Sequence, residues 1–390
     1  MKILVHPLSY LYLLRGHTLL FMKTEKNNNS QRLVSLDALR GFDMFFIMGG
    51  DALFLSLCSL LPFPILKGWA PQMQHAVWEG FTFYDLIFPL FLFIAGVSFP
   101  LSMAKQRSEG KSDLQISLKI LRRGGLLILL GMIYNGLLQF DFDSLRCASV
   151  LGRIGMAWML AALLFLWCSR KVIVLLSVGI LLGYWALLAG VGAPDAVGAS
   201  SFSMEGSIVG YVDRLLLPGV LYNGIHDPEG FLSTFPAVVT ALIGMSVGDY
   251  IGKKGNWKKL LVLIVAGIVL LLVGWVWSDY FPCIKNLWTS SFVCLAAGVS
   301  LLLFCLFYLV IDVISWQRWA LFFRVIGANA LTIYLLQPFV DFHHLNKSIF
   351  GGILSYLPTD FYSLFYWICY IGLCWGVLYF LYRKETFLKV

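Results

Sequence analysis

Charge is what this chain has least of. Aspartate, glutamate, lysine and arginine make up 13% of its 390 residues, about half the share of a soluble domain. So few charges cannot cover a water-soluble protein of this size. With 59% hydrophobic residues and a mean hydropathy of +0.81, composition favours one membrane domain over the two or three soluble domains that length alone suggests. Several motifs are missing too. There is no CxxC pair, HExxH, P-loop or nucleotide-binding glycine motif, so no metal or thiol-redox site is expected. His343 and His344 are adjacent and would point apart on a helix, a poor metal pair. The eight cysteines lie mostly in apolar runs, where cysteine serves as a small core residue. Cys147 and Cys283 fall in loops on the same side, where a pair stays open. The formal net charge of +8 is not a nucleic-acid signature, because the basic residues cluster in short loops on one side, as cytoplasmic loops do.

What is present is a series of apolar runs. A spanning helix needs about 20 apolar residues, and ten runs qualify: 37–60, 82–104, 116–138, 149–168, 172–190, 231–251, 259–278, 288–311, 320–340 and 361–382. The expected fold is all-α and polytopic, with about ten transmembrane helices. Trp69, Trp78, Trp167, Tyr184, Trp257, Trp288, Trp316 and Trp319 gather at run ends, as interfacial belts do. Lysines and arginines concentrate at Lys23–Arg32, Lys105–Arg123, Arg170–Lys171, Lys253–Lys259 and Arg383–Lys389. These segments share a side if the leader is inside, which places both termini in the cytoplasm. The other side carries Asp141, Asp143, Asp195, Glu205 and the His75 loop. Residues 1–31 read as a leader of little structural weight, 32–385 as a single membrane domain, and 191–230 as a long external loop within it. Long ordered loops tend to be functional.

The polar residues sort by depth. Asp37 and Arg40, three apart on the first helix, can pair on one face, as a structural ion pair or as part of a ligand site. Arg40, Arg122 and Arg123 lie together on the inner side, where guanidinium groups either hold a phosphorylated cofactor or set topology. Asp51 lies fourteen residues beyond Asp37, roughly 21 Å further out. His75 sits on the next outer loop, with Asp85 at the mouth of the second helix. Arg153, the His226–Asp227–Glu229 segment, and Lys285 with Asn286 open later helices from the same side, where one outer cavity could collect them. An ionisable residue at the rim of a membrane helix is costly unless paired or functional. An imidazole there can take and return a proton near neutral pH, given an orienting acceptor, Asp85 or Asp51. Asp227 before Pro228 and Glu229 is expected either to start a helix or to serve the site.

Five blocks in order, RLVSLDALRGFDM at 32–44, HAVWEGFTFYDLIFPLFLFIAGVS at 75–98, LGRIGMAW at 151–158, HDPEGFLSTFPAVV at 226–239 and PCIKNLWTSSFV at 282–293, resemble the heparan-alpha-glucosaminide N-acetyltransferase family and its bacterial relatives. The resemblance implies a compact membrane fold that takes acetyl-CoA from the cytoplasmic side and acetylates a glucosamine amine on the far side. It makes His75 the match of the family's catalytic histidine. It places Asp51 where the lysosomal enzyme has an active-site asparagine. A carboxylate there can act as base or orienter, whereas an amide only hydrogen-bonds. Processing into two chains is not expected, since the lysosomal enzyme's long lumenal N-terminal domain is missing.

The expected function is thus a transmembrane acetyltransferase of the bacterial inner membrane with a periplasmic site. His75, Asp51 and Asp85 would be catalytic, and Asp37, Arg40, Arg122 and Arg123 would hold acetyl-CoA. Trp78, Glu79, Arg153, His226, Asp227, Glu229 and Asn286 would hold an amino sugar or glycan. A homodimer is an open expectation. A transporter or flippase for a glycan or lipid-linked sugar is the alternative.

Overall fold

The computed structural model describes residues 33–61, 63–252 and 257–388. The leader 1–31, Arg32, Lys253, Lys254 and Lys389 lie outside the described residues. From Ser35 onward the chain forms one compact unit. Its described residues are helical, with two isolated bridges, Arg146 to Gly219 and Gly192 to Ser207.

The first apolar run is one rod in three parts: α1 (Val34–Phe45), a π-turn (Phe46–Gly50) and α2 (Asp51–Leu60). A short α3 (Pro64–Trp69) leads to the His75 loop. Then come α4 (Phe83–Ser108), α5 (Asp113–Tyr134), α6 (Val150–Trp167) and α7 (Arg170–Gly190). The external loop carries α8 (Ile208–Leu216) and leads to α9 (Thr234–Ile251) and α10 (Trp257–Ser278). The chain ends with α11 (Ser290–Tyr308), prolonged by a π-turn to Val313, α12 (Leu321–Ala328), α13 (Ala330–Leu336), α14 (Phe342–Leu354) and α15 (Thr359–Arg383). Local chemistry sets several starts. Thr82 caps α4 in a reciprocal box with Asp85, Ser112 caps α5 in one with Gln115, and Ser149 and Ser169 cap α6 and α7.

Eight of these rods are long and apolar enough to cross a membrane, and the protein is an integral membrane protein. The expected ten runs therefore divide differently. The run at 116–138 folds as α5, but Asp113, Lys119, Arg122 and Arg123 crowd its first half. The run at 320–340 is broken at Asn329 into α12 and α13, of 8 and 7 residues. The spans form an inner and an outer set. α4, α6, α9 and the α11 rod are 61–72% buried over their apolar windows, while α7, α10 and α15 are only 22% buried and turn most of their surface to lipid.

Small residues bring the inner helices together. A Cβ on Gly244 or Gly248 of α9 would lie 2.3 or 2.2 Å from a backbone oxygen of α4, and one on Gly96 would lie 2.4 Å from an oxygen of α9. This is the close crossing that a small-xxx-small stripe permits in a membrane. The other special position is Gly49 in the first π-turn, at φ 112°, where a side chain is strained. The break there sets the direction in which Asp51 starts α2.

Cys147 and Cys283 are not joined by a disulfide, so the pair left open between them does not form. The Asp227–Pro228–Glu229 segment starts no helix either. It is a turn, and α9 begins only at Thr234. His343 donates to or accepts from the Tyr366 hydroxyl at 2.8 Å and stacks on Tyr370. Among the described residues no cluster suited to a metal occurs.

Candidate active site

The capping box at the mouth of α4 builds the first part of the site. Asp85 is buried and its two oxygens divide their work. Oδ2 accepts from the backbone N–H groups of Ala76 and Thr82, each at 3.2 Å, and from the Thr82 hydroxyl at 3.0 Å. Oδ1 faces His75 Nδ1 at 2.8 Å. The Thr82 hydroxyl also lies 2.7 Å from the Gln74 carbonyl, which pins the loop just before the histidine. The His75 side chain is 53% exposed and Asp85 1%, so the ring is anchored on one edge and open on the other. A carboxylate on Nδ1 fixes the tautomer with the proton there and leaves Nε2 as the acceptor.

Lys285 enters from a loop 210 residues away in sequence. Its Nζ lies 2.9 Å from His75 Nδ1, 3.3 Å from Nε2 and 3.3 Å from Asp85 Oδ1. Burial makes this ammonium easier to deprotonate than a free lysine, with the Asp85 charge opposing. The lysine loop is tied to the histidine loop by a backbone bond from Gly80 N–H to the Cys283 carbonyl at 2.8 Å. Burial pushes the Cys283 thiol up to about 12, which removes it as a nucleophile near neutral pH. Asp51 does not hold His75 directly. It neighbours the hydroxyl of Tyr84, whose ring lies 4.7 Å from that of His75.

A second polar cluster lies beside the first, under the external loop. Arg146 grips Asp227 with two bonds, Nε to Oδ2 at 2.8 Å and Nη2 to Oδ1 at 2.7 Å, and also bonds Glu229. This forked pairing outweighs burial and holds the Asp227 carboxyl below its ordinary range. Tyr222 covers the Arg146 guanidinium at 4.6 Å. Arg153 is fully buried, donates to the Gly230 carbonyl at 3.0 Å and to Ser233, and lies over the Trp288 ring at 5.1 Å. Asp213 of α8 accepts from Phe231 N–H at 2.8 Å. Its carboxylate fits only because residue 230 is glycine, since a Cβ there would lie 1.9 Å from Oδ2. Burial pushes Asp213 up to about 7 and His226 down to about 4.

The two clusters meet. The Asn286 backbone approaches the His226 ring, and Glu229 lies within electrostatic reach of Lys285. Trp78 contributes an edge contact to His226 at 5.7 Å and is held by its Nε1–H on the Phe202 carbonyl at 2.8 Å. Glu79 is exposed and enters none of these hydrogen bonds.

Farther along α4, at Ser98, arginines of α1 and α5 gather. Arg40 pairs with Asp37 at 3.2 Å and bonds the Ser98 hydroxyl at 3.3 Å. Arg123 lies over Trp158 at 4.5 Å and within electrostatic reach of Arg40. Arg122 is exposed and makes none of these contacts. Ser98 is thirteen residues beyond Asp85, so the two groups stand roughly 20 Å apart along the helix. Two apolar grooves, of about 460 and 360 Å³, lie elsewhere, against α10 and against α13.

Sequence reasoning thus named His75, Asp85 and the 226–229 segment, but gave no role to Lys285, Arg146, Asp213 or Tyr84. Arg146 carried a signal, as a basic residue beside Asp141 and Asp143 on the acid-rich side. Lys285 stood inside a quoted block, and its burial beside His75 depends on the fold.

Comparison with known proteins gives the site a context. Residues 32–137, which include His75 and Asp85, match a sequence family described as a domain of unknown function, DUF5009. The human protein heparan-alpha-glucosaminide N-acetyltransferase is 27% identical over 423 aligned positions, covering 92% of this chain. The chain is thus similar in sequence to heparan-alpha-glucosaminide N-acetyltransferases. The mouse protein of that name is 26% identical over 94% of this chain. The chain spans about 60% of the length of these N-acetyltransferases, 60% of the human and 61% of the mouse protein.

Proposed function

We propose that this chain is a membrane acyltransferase that moves an acetyl group from acetyl-CoA to the amine of an amino sugar, with donor and acceptor reaching it from opposite faces of the bilayer. The observation that carries the reading is one imidazole, anchored by a buried carboxylate at the mouth of α4, with arginines of α1 and α5 gathered near Ser98 farther along the same helix. The names of the relatives supply the reaction class and the acceptor.

The division of labour follows. Arg40 and Arg123 suit the phosphates of coenzyme A, and the cytoplasm is the side that supplies them. The pantetheine arm would run along α4 and bring the thioester beside His75. Asp85 holds Nδ1–H, so Nε2 can take a proton from the attacking amine. The amine nitrogen then bonds the acetyl carbon, the carbon–sulfur bond breaks, and the proton passes to the departing sulfur. In the two-step variant Nε2 attacks the thioester carbon, the carbon–sulfur bond breaks with its electrons on sulfur, and the amine then takes the acetyl group from Nε2, its proton going to the sulfur. Asp227, Glu229 and Arg146 line the acceptor side, where paired charges suit sugar hydroxyls. Asp51 and Tyr84 continue the polar lining beside the ring.

The test is release of free CoA thiol by the purified chain. Release should require an amino sugar and should fall by about 10²–10⁴ in His75→Ala, the usual worth of an acid–base group, while acetyl-CoA still binds. Acetyl trapped on His75 with donor alone would select the two-step route. A transporter would move sugar with no CoA release, and that result would overturn the proposal.

A further inference from the structure

The ammonium of Lys285 has more donors than the protein uses. A lysine carries three N–H bonds, and here Asp85 Oδ1 at 3.3 Å takes one. The contact with His75 Nδ1 at 2.9 Å cannot take a second, because that nitrogen's own proton is committed to Asp85 at 2.8 Å. His75 Nε2, 3.3 Å from Nζ, can take a second, which leaves the third for a group that enters beside that nitrogen. That is where the reacting carbonyl must sit if Nε2 is to meet the attacking amine. The side chain is 17% exposed, so its charge is poorly screened and acts strongly on whatever enters.

We propose that Lys285 is a catalytic residue: its ammonium binds the acyl oxygen as negative charge builds on it. The inference rests on the acyltransferase reading and adds an electrophile to it. As the amine nitrogen bonds the carbonyl carbon, the C=O pair moves onto oxygen, beside Nζ. On collapse the pair returns, the carbon–sulfur bond breaks with its electrons on sulfur, and His75 delivers the amine's proton to that sulfur. Lys285 loses no proton in the cycle. Asp85 then serves both partners, orienting the ring through Nδ1 and holding the ammonium beside Nε2.

Two readouts on the full-length purified chain test this. The first is a split of kinetic constants. Lys285→Met should lower kcat by about 10²–10³, the cost of removing one oxyanion donor, with the KM for acetyl-CoA changed less than about threefold. Lys285→Arg should recover part of the rate. The second is the infrared stretch of carbonyl-labelled acetyl-CoA in the bound state. It should lie at lower frequency in the wild type than in Lys285→Met, because a direct hydrogen bond polarises the carbonyl. A lysine that only supports Asp85 would lower the rate without moving that band. An unmoved band, or a kcat within threefold of wild type, overturns the proposal. If Lys285→Met fails to fold, Lys285→Gln carries the same readouts. Failure of the wild type to transfer acetyl at all would instead overturn the acyltransferase reading.

Discussion

His75 does its proposed work because Asp85 is occupied twice over, as the cap of α4 and as the anchor of the ring. Asp85→Asn keeps the shape but offers an amide in place of a full acceptor, so the ring loses its fixed tautomer. Turnover should fall by about 10²–10⁴, and the melting temperature should fall as well, because the amide no longer balances the Lys285 ammonium; acetyl transfer and thermal unfolding measure the two side by side. The buried groups under the external loop set opposite pH trends. Asp213 is pushed up to about 7, so the folded state holds a proton that the unfolded chain has lost. Its contribution to stability therefore shrinks as pH rises from about 4 to about 7. His226 is held down to about 4, so its contribution grows over much of the same range. In melts across pH 4–7, Asp213→Asn should gain on the wild type as pH rises, and His226→Gln should gain as pH falls. Parallel curves would contradict both assignments. At this scale the sequence was informative where partners are neighbours. His75 and Asp85 are ten residues apart, and only the choice between Asp85 and Asp51 was open. The partner brought in by Lys285, 210 residues away, is created by folding and leaves no local pattern.

The elements were legible through long apolar runs, since hydrophobic length is a local property. The run at 320–340 was misleading because it is broken at Asn329, and mean apolarity does not register such a break. The HDPEG segment was misleading in the other sense. Its residues suit a helix start, and Asp227 does accept the Glu229 N–H at 2.9 Å, but Arg146 and the Tyr222 N–H hold the same carboxylate in a turn. The α4–α9 crossing makes a sharp prediction. A side chain at Gly244 meets the Phe93 backbone oxygen, which cannot rotate away. Gly244→Val should cost at least the roughly 1–3 kcal/mol typical of overpacking, seen as a lower melting temperature in detergent. A variant as stable as the wild type would refute the crossing. Gly49→Ala should also destabilise, because its φ of 112° is unfavourable for alanine and a Cβ would lie 2.9 Å from the Trp367 ring.

For the molecule as a whole, the two groups along α4 are the organising fact. The arginine group and the histidine group are separated by roughly 20 Å of buried helix, and both kinds of residue were visible in the sequence as loops of opposite character. In the orientation that the positive-inside pattern predicts, the arginines face the cytoplasm. A cysteine placed at Ser108 should then react with an impermeant maleimide only after the membrane is opened, while one at Ser200 should react in intact cells. The reverse pattern would invert the proposed direction of transfer. The most direct measurement reconstitutes the chain in sealed vesicles, with acetyl-CoA at the arginine face and an impermeant amino sugar trapped at the other. Acetylated sugar should accumulate in the compartment that never met acetyl-CoA, and His75→Ala should abolish it. Acetylation that occurs only when donor and acceptor share one face would contradict the account.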